Sequence, residues 1–327
     1  MLRKKVKDIL ENSAGKKICI VGDVMLDLYM LGNVTRISPE APVQVFDLKN
    51  SEPKLGGAAN VSLNVKTLGA EPVLIGVIGD DSEGETLKHV MRRQGQYTGA
   101  LVTEPERPTT CKTRVIADSH HLIRIDSESK KDITKTTETA ILRNLSEHAD
   151  EISILILQDY NKGVLTKNLI RKICLICDKN NIKILVDPKF DNFFEYKNVF
   201  IFKPNRKELE DAFGRKSKSD EELMNICNEL FRKISCKNLV LTLGEHGMKL
   251  ISRHGKSLKV ESIKTRARKV ADVSGAGDTV ISTIAVSLAG GSSMLEAVQI
   301  SNIAAGLVVE EVGIVPINKN RLLSNLI

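Results

Sequence analysis

The chain of 327 residues contains no tryptophan, and aromatic residues make up only 4% of it. That scarcity argues against a nucleic-acid binder, which relies on exposed aromatics that stack bases or on a clustered basic helix. No stretch reaches the roughly 18 consecutive apolar residues that a membrane span needs. Behind Met1-Leu-Arg-Lys-Lys5 no apolar segment and small-residue cleavage site follow, so no signal peptide is expected. The chain also lacks G-x-x-x-x-G-K-S/T, and no strand leads into G-x-G-x-x-G, so any nucleotide must be held by other means. Its six cysteines are scattered through apparent strands and helices, which points to a reducing, cytoplasmic setting rather than a disulfide framework. Cys174 and Cys177 form a C-x-x-C, but no second pair or paired histidines complete a zinc set. They read as two thiols on one helix.

What is present is ordinary in bulk: 42% hydrophobic and 27% charged residues, the balance of a soluble globular protein. The length allows one large α/β core or two ordinary domains. The net charge of +7 with dispersed lysines suits anionic small molecules better than nucleic acid.

Residues 17–22 (KICIVG) form a β-branched run that predicts a buried parallel strand. Residues 43–48 and 111–125 alternate more and predict strands with one face in water. Residues 57–68 carry apolar positions at helical spacing and stop at Gly69, and 72–78 predicts another buried strand. From Glu151 onward, apolar runs at 152–157, 182–186, 199–202 and 239–243 alternate with predicted helices at 166–178, 207–213 and 219–233. Such alternation implies a doubly wound α/β fold, a mostly parallel sheet flanked by helices. Long small-residue helices are expected at 276–289 and 294–310. A small β-sheet from about 25–50 and 108–127 is expected to project as a lid from a single domain spanning 1–327. Ligands in such folds sit beyond the carboxyl ends of the strands.

Turns after strands therefore hold the candidate chemistry. In Asp272-Val-Ser-Gly-Ala-Gly-Asp278, the glycines allow a tight turn and close approach, and free amides of Gly275, Ala276 and Gly277 would open a helix toward an anion. Asp278 among those amides suits a base that takes a proton from a hydroxyl; a plain glycine-rich helix cap is the alternative. Leu55-Gly-Gly-Ala-Ala-Asn60 brings backbone amides and an amide side chain to a helix start, which fits a polyol or merely close helix–strand packing. Asp27, read as lying past a strand end, either grips sugar hydroxyls or is a solvated loop residue. Asn205 and Glu208 stand at capping-box spacing, yet Arg206 and Lys207 beside them put cations at a helix N-terminus, which suits phosphates. Thr242-Leu-Gly244-Glu-His-Gly247 reads as a turn that could bound an adenosine pocket.

In order and spacing, Gly56-Gly-Ala-Ala-Asn60, Asn205-x-x-Glu208 and Gly275-Ala-Gly-Asp278 resemble the PfkB (ribokinase-like) carbohydrate kinases over essentially the whole chain. Arg36-Ile-Ser-Pro-Glu-Ala-Pro-Val43 further resembles the signature of the D-glycero-D-manno-heptose-7-phosphate kinases. Residues 22–27, Leu122-Ile-Arg-Ile-Asp126, Asp159-Tyr-x-Lys-Gly163 and Val186-Asp-Pro-Lys189 fit the same group. The resemblance implies a ribokinase-like fold and transfer of the ATP γ-phosphoryl group to O1 of the heptose 7-phosphate, in ADP-heptose synthesis for surface glycans such as lipopolysaccharide. It implies Asp278 as base and Gly275, Ala276 and Gly277 as anion hole. Asn205, Arg206, Lys207, Glu208, Thr242, Gly244, Gly247 and Asn302 would hold ATP, with Glu208 touching Mg²⁺ through water. Asp27, Gly56, Gly57, Asn60 and Asp159 would bind the sugar, with Arg124, Lys162 and Lys189, then Lys112 and Arg114, as cations for its phosphate. A monovalent cation is left open, and a homodimer through the lid is expected. No His-x-Gly-His motif marks a nucleotidyltransferase domain, so the stand-alone kinase is expected. Other readings are a kinase for another phosphorylated sugar, or an inactive sugar-phosphate-binding protein.

Overall fold

Residues 17–22 alternate between two hydrophobic layers: Ile18 and Ile20 enter one buried cluster, Cys19 and Val21 the other. Both faces of this strand are thus covered, which is why its sequence is apolar without alternation. The computed structural model describes residues 2–118, 120–255, 257–265 and 270–326. The chain runs α1 (Leu2–Asn12), β1 (Lys17–Gly22), β2 (Val24–Ile37), β3 (Gln44–Gly57), α2 (Ala58–Leu68), β4 (Glu71–Ile75) and β5 (Val77–Ile78). Next come α3 (Ser82–Arg93), β6 (Val102–Thr103), β7 (Cys111–Ala117), β8 (His120–Ser127) and α4 (Lys135–His148). The second half holds β9 (Ile152–Gln158), α5 (Lys167–Lys179), β10 (Lys183–Asp187), β11 (Ile201–Phe202), α6 (Arg206–Ala212) and α7 (Asp220–Ile234). It ends with β12 (Asn238–Thr242), β13 (Met248–His254), β14 (Ser257–Ile263), α8 (Ala276–Ala289), α9 (Met294–Val308) and α10 (Lys319–Ser324).

The main sheet has the order β14-β13-β12-β11-β10-β9-β1-β4. Strands β4, β1, β9, β10, β11 and β12 pair in parallel, and β13 and β14 add an antiparallel edge. Apolar residues of α1, α2, α3, α8, α9 and α10 pack on one face, and those of α4, α5, α6 and α7 on the other. The doubly wound α/β arrangement expected from the sequence is therefore the one observed.

A second sheet, β3-β2-β7-β8, stands apart from the first. Its β2–β7 pair is parallel and the other pairs are antiparallel. Strands β2 and β3 run further than the expected 25–50, over Val24–Gly57, and β7 and β8, over Cys111–Ser127, lie within the expected 108–127. Asp27, expected in a loop, lies inside β2, because only Asp23 separates the end of β1 from the start of β2. Period-two alternation and the pairings Asp27↔Lys54, Asp27↔Lys112, Tyr29↔Arg114, Arg114↔Arg124 and Lys112↔Asp126 put these side chains on one face of the lid. Leu28, Met30, Val115, Ile123 and Ile125 fall on the opposite face, where Ile123 and Ile125 are more than half exposed.

Candidate active site

The parallel strands β1, β9, β10, β11 and β12 deliver their carboxyl ends to one edge of the sheet, and α8 begins there. Gly275, its N-cap, adopts a left-handed conformation with φ 77°. A Cβ there would stand 3.1 Å from the Asn60 amide nitrogen, and one on Gly277 would stand 3.5 Å from Lys203 Nζ and 3.6 Å from an Asp187 oxygen. The two glycines thus let the turn lie close against α2 on one side and the ends of β10 and β11 on the other. The first amides of α8 have no partner within the helix, although that of Ala276 donates to the Val273 carbonyl at 3.2 Å, and the helix end leaves a partial positive charge at this point.

Asp278 sits in that first turn and is only 3% exposed. Asn60 Nδ2 donates to its Oδ2 at 2.8 Å. Tyr160 Oη and Gln158 Nε2 donate to its Oδ1 at 2.8 and 3.0 Å. Burial pushes the Asp278 carboxyl up to about 7; the Asn60 and Tyr160 hydrogen bonds and Lys203 oppose that push, and the charge of Asp187 adds to it. Lys203 Nζ itself lies 2.9 Å from Asp187 Oδ1, a pair almost wholly buried. A carboxyl raised toward neutrality lies in the working range of a general base.

A cavity of about 650 Å³ opens from this turn. Gly275, Ala276 and Gly277 line it together with Asn205, Glu208, Thr242, Gly244, Gly247 and Asn302. Asn205 and Glu208 form a complete capping box on α6: Asn205 Oδ1 accepts from the Glu208 amide at 2.8 Å, and Glu208 Oε2 accepts from the Asn205 amide at 2.9 Å. The structural role weighed for this pair is present, and the same two residues also face the cavity. Asn302 Nδ2 donates to the Lys264 carbonyl at 2.8 Å.

Arg206 and Lys207 do not join this wall. Arg206 pairs with Glu210 one turn on and donates to the Ser217 carbonyl, and Lys207 pairs with Asp211 on the solvent side of α6. Helical spacing is the reason: with the 205 and 208 positions turned to the cavity, 206 and 207 point away from it. Among the described residues, the cations that do line the cavity are Lys189 and Lys203. Lys189, expected at the sugar phosphate, is bound to Glu208 and lies over the Tyr160 ring, so it belongs to the cavity wall. Burial works against its charge, but Glu208 and Asp187 outweigh that and hold its pKa above the ordinary value.

On the lid side, Asp27 is 2% exposed and bound to Arg114. A Cβ on Gly56 would fall 2.1 Å from Asp27 Oδ2, and Gly57 has φ 54° with its missing Cβ facing the Asp23 carbonyl. Here glycine is required by close approach and by backbone conformation. Arg114 and Lys54 both lie over the Tyr29 ring, at 5.2 and 4.9 Å from its centre. Lys112 pairs with Asp126 and Glu128, and Lys162 pairs with Glu128. Arg124 is largely exposed and pairs with Asp126.

Asp159 departs from its expected place. Its carboxylate accepts from Tyr196 Oη at 2.6 Å and from the Asn161 amide at 2.8 Å, away from Asp278. Chain alternation at the end of β9 sends Gln158 and Tyr160 to Asp278 and the residue between them to the other side. Gln158, Tyr160, Asp187, Lys203 and Lys54 were not singled out from the sequence. Parity with Asp159 could have found the first two, and Asp187 lies inside the quoted Val186–Lys189 segment.

Residues 15–320 match the model of the family described as pfkB family carbohydrate kinase. Over 326 residues the chain is 37% identical to the "Bifunctional protein HldE" of Geobacter sulfurreducens, covering 100% of this chain and 66% of that protein. It is 40% identical over 296 residues to the protein of the same name from Aliarcobacter butzleri, covering 90% of this chain and 61% of that one. The chain thus spans just under two thirds of the length of these relatives. Among solved structures, Escherichia coli phosphofructokinase-2 in complex with potassium superposes with a TM-score of 0.77 at 19% identity, over 95% of this chain and 97% of that one. Arabidopsis thaliana ribokinase with ribose and ATP gives 0.73 at 19%, over 95% and 98%. Fold and relatives together define a sugar kinase on a ribokinase-like α/β scaffold. The chain belongs to the pfkB family of carbohydrate kinases.

Proposed function

We propose that this kinase transfers the γ-phosphoryl group of ATP to O1 of D-glycero-D-manno-heptose 7-phosphate, giving the 1,7-bisphosphate and ADP. The observation that carries the reading is Asp278, a buried carboxylate in the first turn of α8, set between the Gly275–Gly277 amides and Asn60 of α2. Phosphoryl transfer needs positioning and charge neutralisation more than covalent help. In this reading ATP occupies the cavity bounded by Asn205, Thr242, Gly244, Gly247 and Asn302, and the α8 amides and Lys203 face the transferring group. Asp278 takes the proton of the sugar hydroxyl. Asp27, Gly56, Gly57 and Asn60 hold the other hydroxyls, and the lid cations Lys54, Arg114, Lys112 and Arg124 meet the remote phosphate. The substrate class rests on the Arg36–Val43 signature and on this charged lid face.

Among the described residues no three His, Cys, Asp or Glu side chains cluster as a metal site. Asp187 and Glu208 are carboxylates on the cavity wall, so they would hold an ATP-bound Mg²⁺ through water. Such an ion neutralises phosphate charge when bound. The apolar outer face of the lid supports a homodimer paired through that sheet.

An ADP-release assay across sugar 7-, 6- and 5-phosphates tests the substrate. The heptose 7-phosphate is expected to exceed the others in kcat/KM by about 100-fold or more. An equal or better hexose or pentose phosphate would overturn the assignment while leaving the kinase class intact.

A further inference from the structure

The proposed base is held unevenly. Each carboxylate oxygen has two in-plane acceptor positions. Asp278 Oδ1 has both filled, by Tyr160 Oη at 2.8 Å and Gln158 Nε2 at 3.0 Å. Oδ2 receives only Asn60 Nδ2, at 2.8 Å, among the described residues. Neither amide is free to turn over. Gln158 Nε2 also donates to Asp187 Oδ2 at 3.2 Å, so it faces two carboxylates, and Asn60 Oδ1 accepts from Asn64 Nδ2 at 3.3 Å. Tyr160 is fixed as well. Asp23, 1% exposed at the end of β1, accepts the backbone amides of Tyr160 at 2.6 Å, Lys162 at 3.2 Å and Val164 at 3.3 Å.

We propose that Tyr160, anchored through Asp23, is a positioning residue for Asp278: with Gln158 it saturates Oδ1, locks the carboxylate plane and leaves Oδ2 as the oxygen that takes the sugar proton. The proposal rests on Asp278 being the base. A second effect follows from the same geometry. A hydroxyl donating to a carboxylate favours the ionised form, so Tyr160 counters the burial that keeps Asp278 protonated. The phenol remains a donor throughout, because burial and then the charges of Asp278 and Asp187 push its own pKa well above the ordinary value. Among the described residues, the other groups facing Asp278 are Asn60 from α2, Gln158 at the end of β9, Asp187 from β10 and Lys203 after β11, with Lys189 beyond Tyr160. Of these, only Gln158 also interacts with the Tyr160 hydroxyl, so Tyr160→Phe changes that contact as well and leaves the other side chains in place.

The test has two arms. In the substrate-free protein, the carboxylic-acid infrared band that disappears in Asp278→Asn is titrated against pH in wild type and in Tyr160→Phe. Its midpoint is expected to rise by about one pH unit in Tyr160→Phe, the scale of one hydrogen bond to a charged group. Replacing residue 160 with 3-fluorotyrosine, a near-isosteric and stronger donor, is expected to lower the midpoint. In the second arm, the acid limb of kcat with ATP and heptose 7-phosphate is expected to move the same way in each variant, with both KM values within about twofold of wild type. An unmoved midpoint, or a loss of kcat equal at every pH, overturns the positioning role. Because the infrared arm needs no substrate, it stands even if Asp278→Asn keeps native turnover and the base assignment fails.

Discussion

In the proposed mechanism Asp278 must be two things at once: buried enough to be a base near neutral pH, and ionised enough to accept a proton. Its surroundings set the compromise, with burial raising it to about 7 and three donors restraining it. Asp278→Asn is expected to lower kcat by about 10²–10⁴-fold while calorimetry finds ATP affinity near that of wild type. Unchanged kcat would remove the base. Asp23 gives a second residue-scale prediction. Burial and then the charge of Asp159 raise it to about 7 against its three backbone donors. A carboxyl raised on folding stabilises the native state while protonated, and that contribution is lost as pH rises from about 4 through about 7. Asp23→Asn does not titrate. Its melting temperature, compared with wild type, should therefore become more favourable by a few degrees from pH 5 to pH 8; a constant difference would refute the assignment. At this scale the sequence was legible where a carboxylate follows a glycine turn and opaque where parity decides. Asp159 and Tyr160 are adjacent, and only the fold tells which one reaches Asp278.

At the scale of elements, α6 separates local from tertiary information. Its N-terminal Asn205 and Glu208 were readable because a capping box is a four-residue property. The fate of Arg206 and Lys207 was not readable, since it depends on which side of the helix meets the cavity. Lys207→Ala should leave KM for ATP within about twofold, whereas Lys189→Ala should raise it by about tenfold or more, a loss on the scale of a charge-assisted hydrogen bond. Steady-state kinetics checks both, and the reverse pattern would restore the cationic helix terminus. The parallel strands after Glu151 and the helices between them were likewise legible, because buried parallel strands and amphipathic helices have different periods, whereas β13, β14 and α10 were not read. The length of β2 was hidden, because the apolar run of β1 passes into it with one intervening residue. Gly57→Ala belongs here too. With φ 54° and a Cβ 2.5 Å from the Asp23 carbonyl, it should cost about 1–3 kcal/mol in denaturant unfolding. Native stability in that variant would show that the turn relaxes freely.

For the whole molecule, the doubly wound core carries the proposed base, at the start of α8, and the cavity beside it, and the second sheet presents a charged face and an apolar one. Ile123→Lys with Ile125→Lys is expected to convert a homodimer to monomers in sedimentation at micromolar concentration, since two lysines on an apolar face oppose its pairing. A wild-type protein that sediments only as a monomer would remove that interface.

The lid segment Val24–Gly57 starts just after Asp23 and ends just before Ala58, with Val24, Leu26 and Leu55 still in the core, and the Ala58 amide donates to the Asp23 carbonyl at 2.9 Å. Exit and re-entry are therefore stitched together, an arrangement suited to an exchanged insertion whose core-facing residues Val24, Leu26, Leu55 and Cys111 are kept. Moved as a pair with Cys111–Ser127, to which β2 is zipped in parallel, this excursion is a portable cassette. In the proposed reading, an exchange of this excursion would replace the groups that meet the sugar and leave the α8 turn and Asp278 in place.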